Sequence, residues 1–288
     1  MRRSSCPGFL PPVVQEDETD SGMAPGPRVL HQNWVEAISW IARLTPGGSV
    51  QSVGSISIVR SGLALTAFNA VFALDRPCPS DQLGEPIENI LVRGGTPWCL
   101  ITTDETSPDL QRVIDAFGLH LGGTLPGMVW DRLPESIPAT PEGFAIRRLH
   151  DSPDARTFAR TMMEGFSAAP DLLDRWAEGV VASGPHLPIN GGLYVAYAGN
   201  QPVGTAVRLT TGRIAGVYGV STLARFRRRG LGAAITCRAA VDGREEGCQL
   251  SYLQSSELGR PVYEKIGYRF VENYRLWVPE ARSAPRPS

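Results

Sequence analysis

The stretch Val217-Tyr-Gly-Val-Ser-Thr222-Leu-Ala-Arg-Phe-Arg227-Arg-Arg-Gly230-Leu-Gly232-Ala-Ala234 constrains this chain more than any other. It reads as an apolar strand ending at Thr222, a loop with four arginines among residues 225–229, and a helix opening at the glycines. Glycine lets a backbone approach a ligand closely, and the first amides of a helix have no partner inside it. With the helix dipole, those amides make an anion site worth roughly 0.3–1 kcal/mol per charge where exposed. The arginines add charge and donors that match phosphate. The segment therefore predicts a phosphate cradle; the alternative for Arg225–Arg229 is a solvated basic patch.

Other phosphate loops are excluded by residue type. A Walker A loop needs G-x-x-x-x-G-K-[ST], which is absent, and Lys265 is the single lysine among 28 basic residues. The same count excludes a Schiff-base lysine at any position except 265. A dinucleotide fingerprint needs a small residue where Ile235 stands. Five cysteines, Cys6, Cys78, Cys99, Cys237 and Cys248, are widely spaced with no C-x-x-C, so neither a disulfide framework nor a zinc site is expected. Reduced thiols in a cytoplasmic setting are the simplest reading. A net charge of -1 gives no field to steer the chain onto nucleic acid or anionic lipid. The uncharged run between Arg60 and Asp75 is 14 residues, short of the roughly 20 a membrane span needs. His31, His120, His150 and His186 stand at no catalytic or metal-ligand spacing, and no metal is expected.

Along the chain, residues 1–29 carry five prolines and the acidic cluster Glu16–Asp20 without apolar periodicity, and read as disordered, as does the tail from Pro279. Three prolines between Pro134 and Pro141 mark 134–142 as a semi-extended linker between two halves, 30–133 and 143–279. In the first half a helix is expected over Trp34–Leu44, extended segments over Val50–Val59 and Phe68–Leu74, and a short helix over Pro86–Val92. A strand at Trp98–Thr102, a helix at Pro108–Gly118 started by Ser107, and a strand at Gly127–Leu133 complete it. In the second half a strand at Phe144–Arg148 precedes helices over Asp151–Phe166 and Pro170–Ala182. Strands at Leu193–Ala198 and Val203–Thr210 flank the Gly199-Asn200 turn, and Ile214–Thr222 follows. A helix from Gly230 to about Glu246, a strand Gln249–Ser255, a short helix Pro261–Ile266 and a strand Tyr268–Val278 close it. The pattern predicts an α+β fold, a mixed but mostly antiparallel sheet flanked by helices.

Arg227-x-x-Gly230-x-Gly232 resembles the [QR]-x-x-G-x-[GA] pyrophosphate loop of the GNAT acetyltransferase superfamily. Pro261-Val-Tyr263-Glu-Lys-Ile-Gly267-Tyr-Arg-Phe resembles its Y-E-K-x-G-F block, with Tyr263 33 residues beyond Gly230. The resemblance covers about 143–278 and implies a GNAT-like acyl-CoA N-acyltransferase fold. It implies that Val220, Ser221 and Thr222 face the pantetheine arm of acetyl-CoA, the co-substrate, and that Arg228, Arg229, Gly230, Leu231, Gly232 and Ala233 supply amides to the pyrophosphate. Tyr263 matches the tyrosine that protonates the departing thiolate. Two positions depart from the pattern: Ser256 stands where many members have a CoA-contacting Asn, and Ser251 where some carry a Glu base.

The activity implied is direct transfer of acetyl from acetyl-CoA to a primary amine of a small molecule or peptide. An alkylammonium near 10.4 is neutral in about one molecule per thousand at pH 7.4, so a base or water relay is needed. Glu164, near the end of the first helix of this half, is the candidate, and a surface carboxylate is its alternative. A packing role is the alternative for Tyr263. With the base at 251 missing, a non-catalytic acyl-CoA sensor is the second reading of the whole chain. The first half has no such loop but a loosely parallel element order. It reads as a degenerate GNAT-like half or an unrelated α+β domain that shapes the acceptor cleft.

Overall fold

The computed structural model describes residues 26–75, 80–134, 139–149, 152–168, 174, 176–179 and 190–280. The first half runs α1 (Pro27–Leu44), β1 (Ser49–Val53), β2 (Ile56–Arg60), β3 (Asn69–Ala73), α2 (Gly84–Ile87, continued by a π turn Glu88–Val92), β4 (Cys99–Thr103), α3 (Pro108–Ala116) and β5 (Leu119–Trp130). The second runs β6 (Phe144–Leu149), α4 (Ser152–Gly165), β7 (Gly191–Ala198), β8 (Gln201–Thr211), β9 (Ile214–Thr222), α5 (Leu231–Glu245), β10 (Leu250–Gln254), α6 (Arg260–Ile266) and β11 (Arg269–Pro279).

Several expected boundaries move, each for a local reason. The helix expected from Trp34 starts at Pro27, where proline's fixed φ and missing donor suit a first turn, and this takes 27–29 out of the segment read as disordered. The extended stretch Val50–Val59 is a hairpin, because Gly54 takes φ +59° and turns the chain between β1 and β2. The strand expected at Gly127–Leu133 begins at Leu119, eight residues earlier. Ser107 caps α3 as expected, its Oγ accepting from Leu110 N at 3.3 Å. Of the helix expected over Pro170–Ala182, 174 and 176–179 are helical and the rest lies outside the described residues, as do 1–25, 135–138 and 281–288.

All eleven strands form one sheet, in the order β1-β2-β3-β4-β11-β5-β10-β9-β8-β7-β6. The α+β reading holds: among the described residues only β3–β4 and β9–β10 are parallel pairs. The halves are interleaved in this sheet. β11, the last strand, lies between β4 and β5 of the first half, and β5 lies between β11 and β10 of the second. Strand alternation distributes the core over both faces. Ala70 and Phe72 of β3 turn toward α1, while Val71 and Ala73 turn toward α2 and α3. The α1 side joins with Phe158, Ala159, Met162 and Met163 of α4 in a single core that runs through both halves. α5 and α6 cover the opposite face of the second half.

The far end of α5 is locked by charge. Arg208, fully buried, and Arg148 both bond Glu246, while Tyr194 and Arg238 bond Asp242 at 3.0 and 2.7 Å. Cations at a helix C-terminus also meet its negative dipole end.

A fragment spanning 140–279 loses β5, which leaves the β10 edge bare and strips β11 of both neighbours. It is expected to lack a cooperative thermal transition and to be insoluble, whereas co-expression with residues 1–139 restores a folded complex. A soluble, cooperatively melting fragment by circular dichroism would contradict this.

Candidate functional site

β9 and β10 pair only at Ile214–Gly216 and Leu250–Tyr252. Beyond that point β9 stays with β8 and β10 stays with β5 up to Gln254, so the two strands part and a gap opens between Val217–Thr222 and Leu253–Gln254. A bulge lies along it: Thr205 pairs with Ser221 and Val207 with Tyr218, which leaves Gly219 and Val220 opposite Ala206, with Gly219 at φ +56°. The chain leaves β9 at Thr222 and enters α5 at Leu231, so the helix starts beside the mouth of the gap.

The loop between them is the expected cradle. Gly230, at φ +76°, is the N-cap of α5 and makes no side-chain cap bond, so the first-turn amides stay open. Arg228 also takes a left-handed conformation, at φ +60°, a strained choice for a non-glycine residue. A Cβ placed on Gly232 meets no protein atom within 4 Å, so the space above this turn is open to a ligand. Arg225 and Arg229 rest on the ring of Phe226, at 5.1 and 5.6 Å. Arg227, the first residue of the motif, turns instead to the protein. Its Nε donates to Thr222 O at 3.0 Å and its terminal nitrogen to Gly165 O at 3.1 Å. The end of β9, the end of α4 and the cradle are thereby tied together.

Of the other expected site residues, Val220, Ser221 and Thr222 lie on the bulged edge, but the Ser221 hydroxyl turns inward to Thr205 Oγ1 at 2.8 Å, leaving its backbone for the gap. Gly165 packs so closely on Ser221 that an added Cβ would sit 2.4 Å from its Oγ. Glu164, one residue earlier, is exposed at this end of α4. Ser256 Oγ accepts from Gly259 N at 3.1 Å and is spent on the turn into α6. Tyr263 is half-buried on α6, its phenol beside the Thr236 hydroxyl on the second turn of α5, and burial pushes its pKa up to about 12. Burial likewise holds Cys99 at about 12 and Cys237 at about 11, so neither is a thiolate nucleophile at neutral pH.

Sequence spacing missed a buried polar chain on the α1 face beside the gap. His31 Nδ1 meets Asp75 Oδ1 at 2.9 Å and Nε2 meets Glu272 Oε1 at 3.0 Å. Tyr274 donates to Glu272 at 2.8 Å, and Tyr252 bonds Tyr274. A protonated ring can donate to both carboxylates at once. Burial opposes that charge, but the hydrogen bonds and charges of Glu272 and Asp75 outweigh it and raise the His31 pKa. These partners lie 44 and 241 residues away, which no motif spacing could show. Among the described residues no group of His, Cys, Asp and Glu side chains is arranged to hold a metal, and no helix is long and apolar enough to cross a membrane.

Residues 190–270, which contain the gap, the cradle and α6, match the family model described as acetyltransferase (GNAT) domain. No curated protein matches the chain in sequence. Among solved structures, a GCN5-related N-acetyltransferase from Kribbella flavida is similar over 88% of this chain and 96% of its own, at 16% identity and a TM-score of 0.62. A functionally unknown conserved protein from Staphylococcus epidermidis covers 81% and 94%, at 17% identity and 0.56. A GCN5-related N-acetyltransferase from Sphaerobacter thermophilus covers 73% and 72%, at 18% and 0.52. At these identities the likeness is one of fold. The family match is confined to residues 190–270, within the second half of the chain.

Two expectations test this site. Gly232→Val puts a branched side chain into this space, where its Cβ meets nothing beyond its own helix turn. Acetyl-CoA affinity by calorimetry should therefore fall at least tenfold with the melting temperature unchanged, against one site per wild-type chain. His31 has a folded pKa above its unfolded value of about 6.5, so its stabilisation is complete below that pH and is lost as pH rises through the folded value. Melting temperature should fall over that rise in the wild type. The slope should flatten in His31→Gln, which costs about 2–4 kcal/mol by leaving two carboxylates facing each other.

Proposed function

We propose that this chain is an N-acetyltransferase that moves acetyl directly from acetyl-CoA to a primary amine of a small molecule or peptide. The GNAT domain and the fold support acyl transfer in general. The observation that carries the finer reading is the open, uncapped turn at Gly230–Ala233 beside the mouth of the β9–β10 gap. In this reading the amides of Arg228–Ala233 hold the pyrophosphate, with Arg228 and Arg229 adding charge. The edge Val220–Thr222 holds the pantetheine arm. Glu164, exposed where α4 meets β9, takes the acceptor's proton directly or through water.

Tyr263 assists the leaving thiolate. With its phenol at about 12, complete transfer of its proton to a thiolate near 8.5 is uphill by about 5 kcal/mol, whereas an unshifted phenol would make it about 2. The phenol therefore works by hydrogen bonding to sulfur as charge develops there, and its raised pKa keeps it protonated for that task.

The first half (30–133, joined through 134–142 to 143–279) is read as a degenerate GNAT-like half. Its support is topological: β1–β3 are antiparallel and β4 joins β3 in parallel, as β10 joins β9. Its helix α1 reaches the other half through Asn33, which donates to Leu209 O at 3.1 Å and accepts from Tyr218, so it borders the acceptor side. The free buried thiols Cys99, Cys237 and Cys248 suit a reducing, cytoplasmic setting. A non-catalytic acyl-CoA sensor remains as the second reading, favoured by the fully buried Ser251 at the base position.

Release of free thiol from acetyl-CoA in a panel of amines is expected of the enzyme, and binding without release of the sensor. Tyr263→Phe should lower kcat about 10²–10³-fold, the loss of one donor to developing charge, with acetyl-CoA affinity and melting temperature nearly unchanged. Normal kcat with reduced stability would mark Tyr263 as packing alone.

A further inference from the structure

Two hydroxyls have no part in the transfer reading, and they lie 2.6 Å apart: Ser251 Oγ and Tyr268 Oη, on residues 0% and 3% exposed. Ser251 Oγ donates to Ala215 O at 2.9 Å, so the Tyr268 hydroxyl donates to the oxygen of Ser251. Ala215 is the parallel partner of Ser251, one pair before the last contact of β9 with β10. The chain Tyr268–Ser251–Ala215 thus clasps the two strands at the apex of the gap.

Its other end reaches the tyrosine of the site. Tyr268 follows α6 directly, its amide donates to Tyr263 O at 3.0 Å, and its ring meets that of Tyr263 edge-on at 5.8 Å. On its far side stands Trp130, at the end of β5 from the first half, with ring centroids 5.4 Å apart. Gly267 makes room for this indole: it ends α6 at φ +114°, and a Cβ there would lie 2.6 Å from Trp130 Nε1. Trp130, Tyr268 and Tyr263 therefore form one row of rings, anchored by hydroxyls to the point where the strands part.

We propose that Tyr268, Ser251 and Trp130 are positioning residues that set the Tyr263 phenol relative to the β9–β10 gap. Ser251 thereby serves as a brace at a position where a base would otherwise be sought. This rests on the transfer reading above. It also gives the first half a part in the reaction: it supplies Trp130 to the seat of Tyr263 without itself holding acetyl-CoA.

A double-mutant cycle on the full chain tests this, with kcat, KM for acetyl-CoA and melting temperature measured for Tyr268→Phe, Ser251→Ala and Trp130→Phe, each with and without Tyr263→Phe. Tyr268→Phe removes one hydroxyl, and Ser251→Ala breaks the same chain from its other side if the first variant folds poorly. Tyr268→Phe and Ser251→Ala should each lower kcat about threefold to tenfold with KM unchanged, the effect of one lost hydrogen bond expressed through the barrier, and Trp130→Phe should do so through its lost ring contact. The loss should vanish when Tyr263 is already Phe, because a positioning residue has nothing left to position. Losses that persist in the Tyr263→Phe background, or a lowered melting temperature with kcat unchanged, overturn the proposal while the transfer reading stands. Absence of thiol release from the wild type overturns both.

Discussion

The hydrogen bonds that hold β11 between β4 and β5 are the constraint on which the rest of this molecule depends. Through them the last strand of the chain completes the sheet of the first half, and β5 of the first half completes the sheet of the second. Every backbone donor and acceptor on these long strands needs a partner once buried, and here the partner comes from the other half. This explains why one core, from Trp34 and Phe72 to Phe158 and Met162, crosses the boundary between the halves. It also explains why Trp130 stands next to the ring of Tyr268.

The site is a consequence of where that sheet fails to close. β10 is committed to β5 on one side and can follow β9 for only three residues on the other, so the strands diverge. A bulge at Gly219–Val220 interrupts the β8–β9 ladder along the same stretch. Arg227 fixes the position of the loop by bonding two backbone carbonyls, one on β9 and one on α4, while Arg225 and Arg229 rest on the ring of Phe226. Division of labour among adjacent arginines is a matter of direction, set by the left-handed turns at Arg228 and Gly230.

The polar chain from Asp75 through His31 to Glu272, Tyr274 and Tyr252 ties four parts of the fold: α1, the end of β3, β11 and β10. A protonated His31 between the two carboxylates offsets their mutual repulsion at this half-buried place. Tryptophan and tyrosine rings shield it: Trp34 lies 4.8 Å from Tyr274, and His31 lies 5.8 Å from the same ring. The amino-terminal helix is thereby held by charge as well as by packing.

Local chemistry was readable from the residues themselves. A strand followed by arginines and Gly-x-Gly gives an uncapped helix start, because glycine supplies no capping oxygen and no Cβ to close the space above it. Ser107-Pro108 and Gly199-Asn200 determined a helix start and a hairpin in the same local way. The mostly antiparallel α+β architecture followed from element order, which short loops restrict. Tertiary structure alone decided the exchange of β5 and β11, since a strand's own sequence specifies which face is apolar but not which of several edges it will join. It alone gave His31 its two carboxylates and brought Ser251 to Tyr268, because those partners are distant along the chain. What Ser251 and Arg227 do depends on the direction of a side chain in three dimensions, which residue type does not encode.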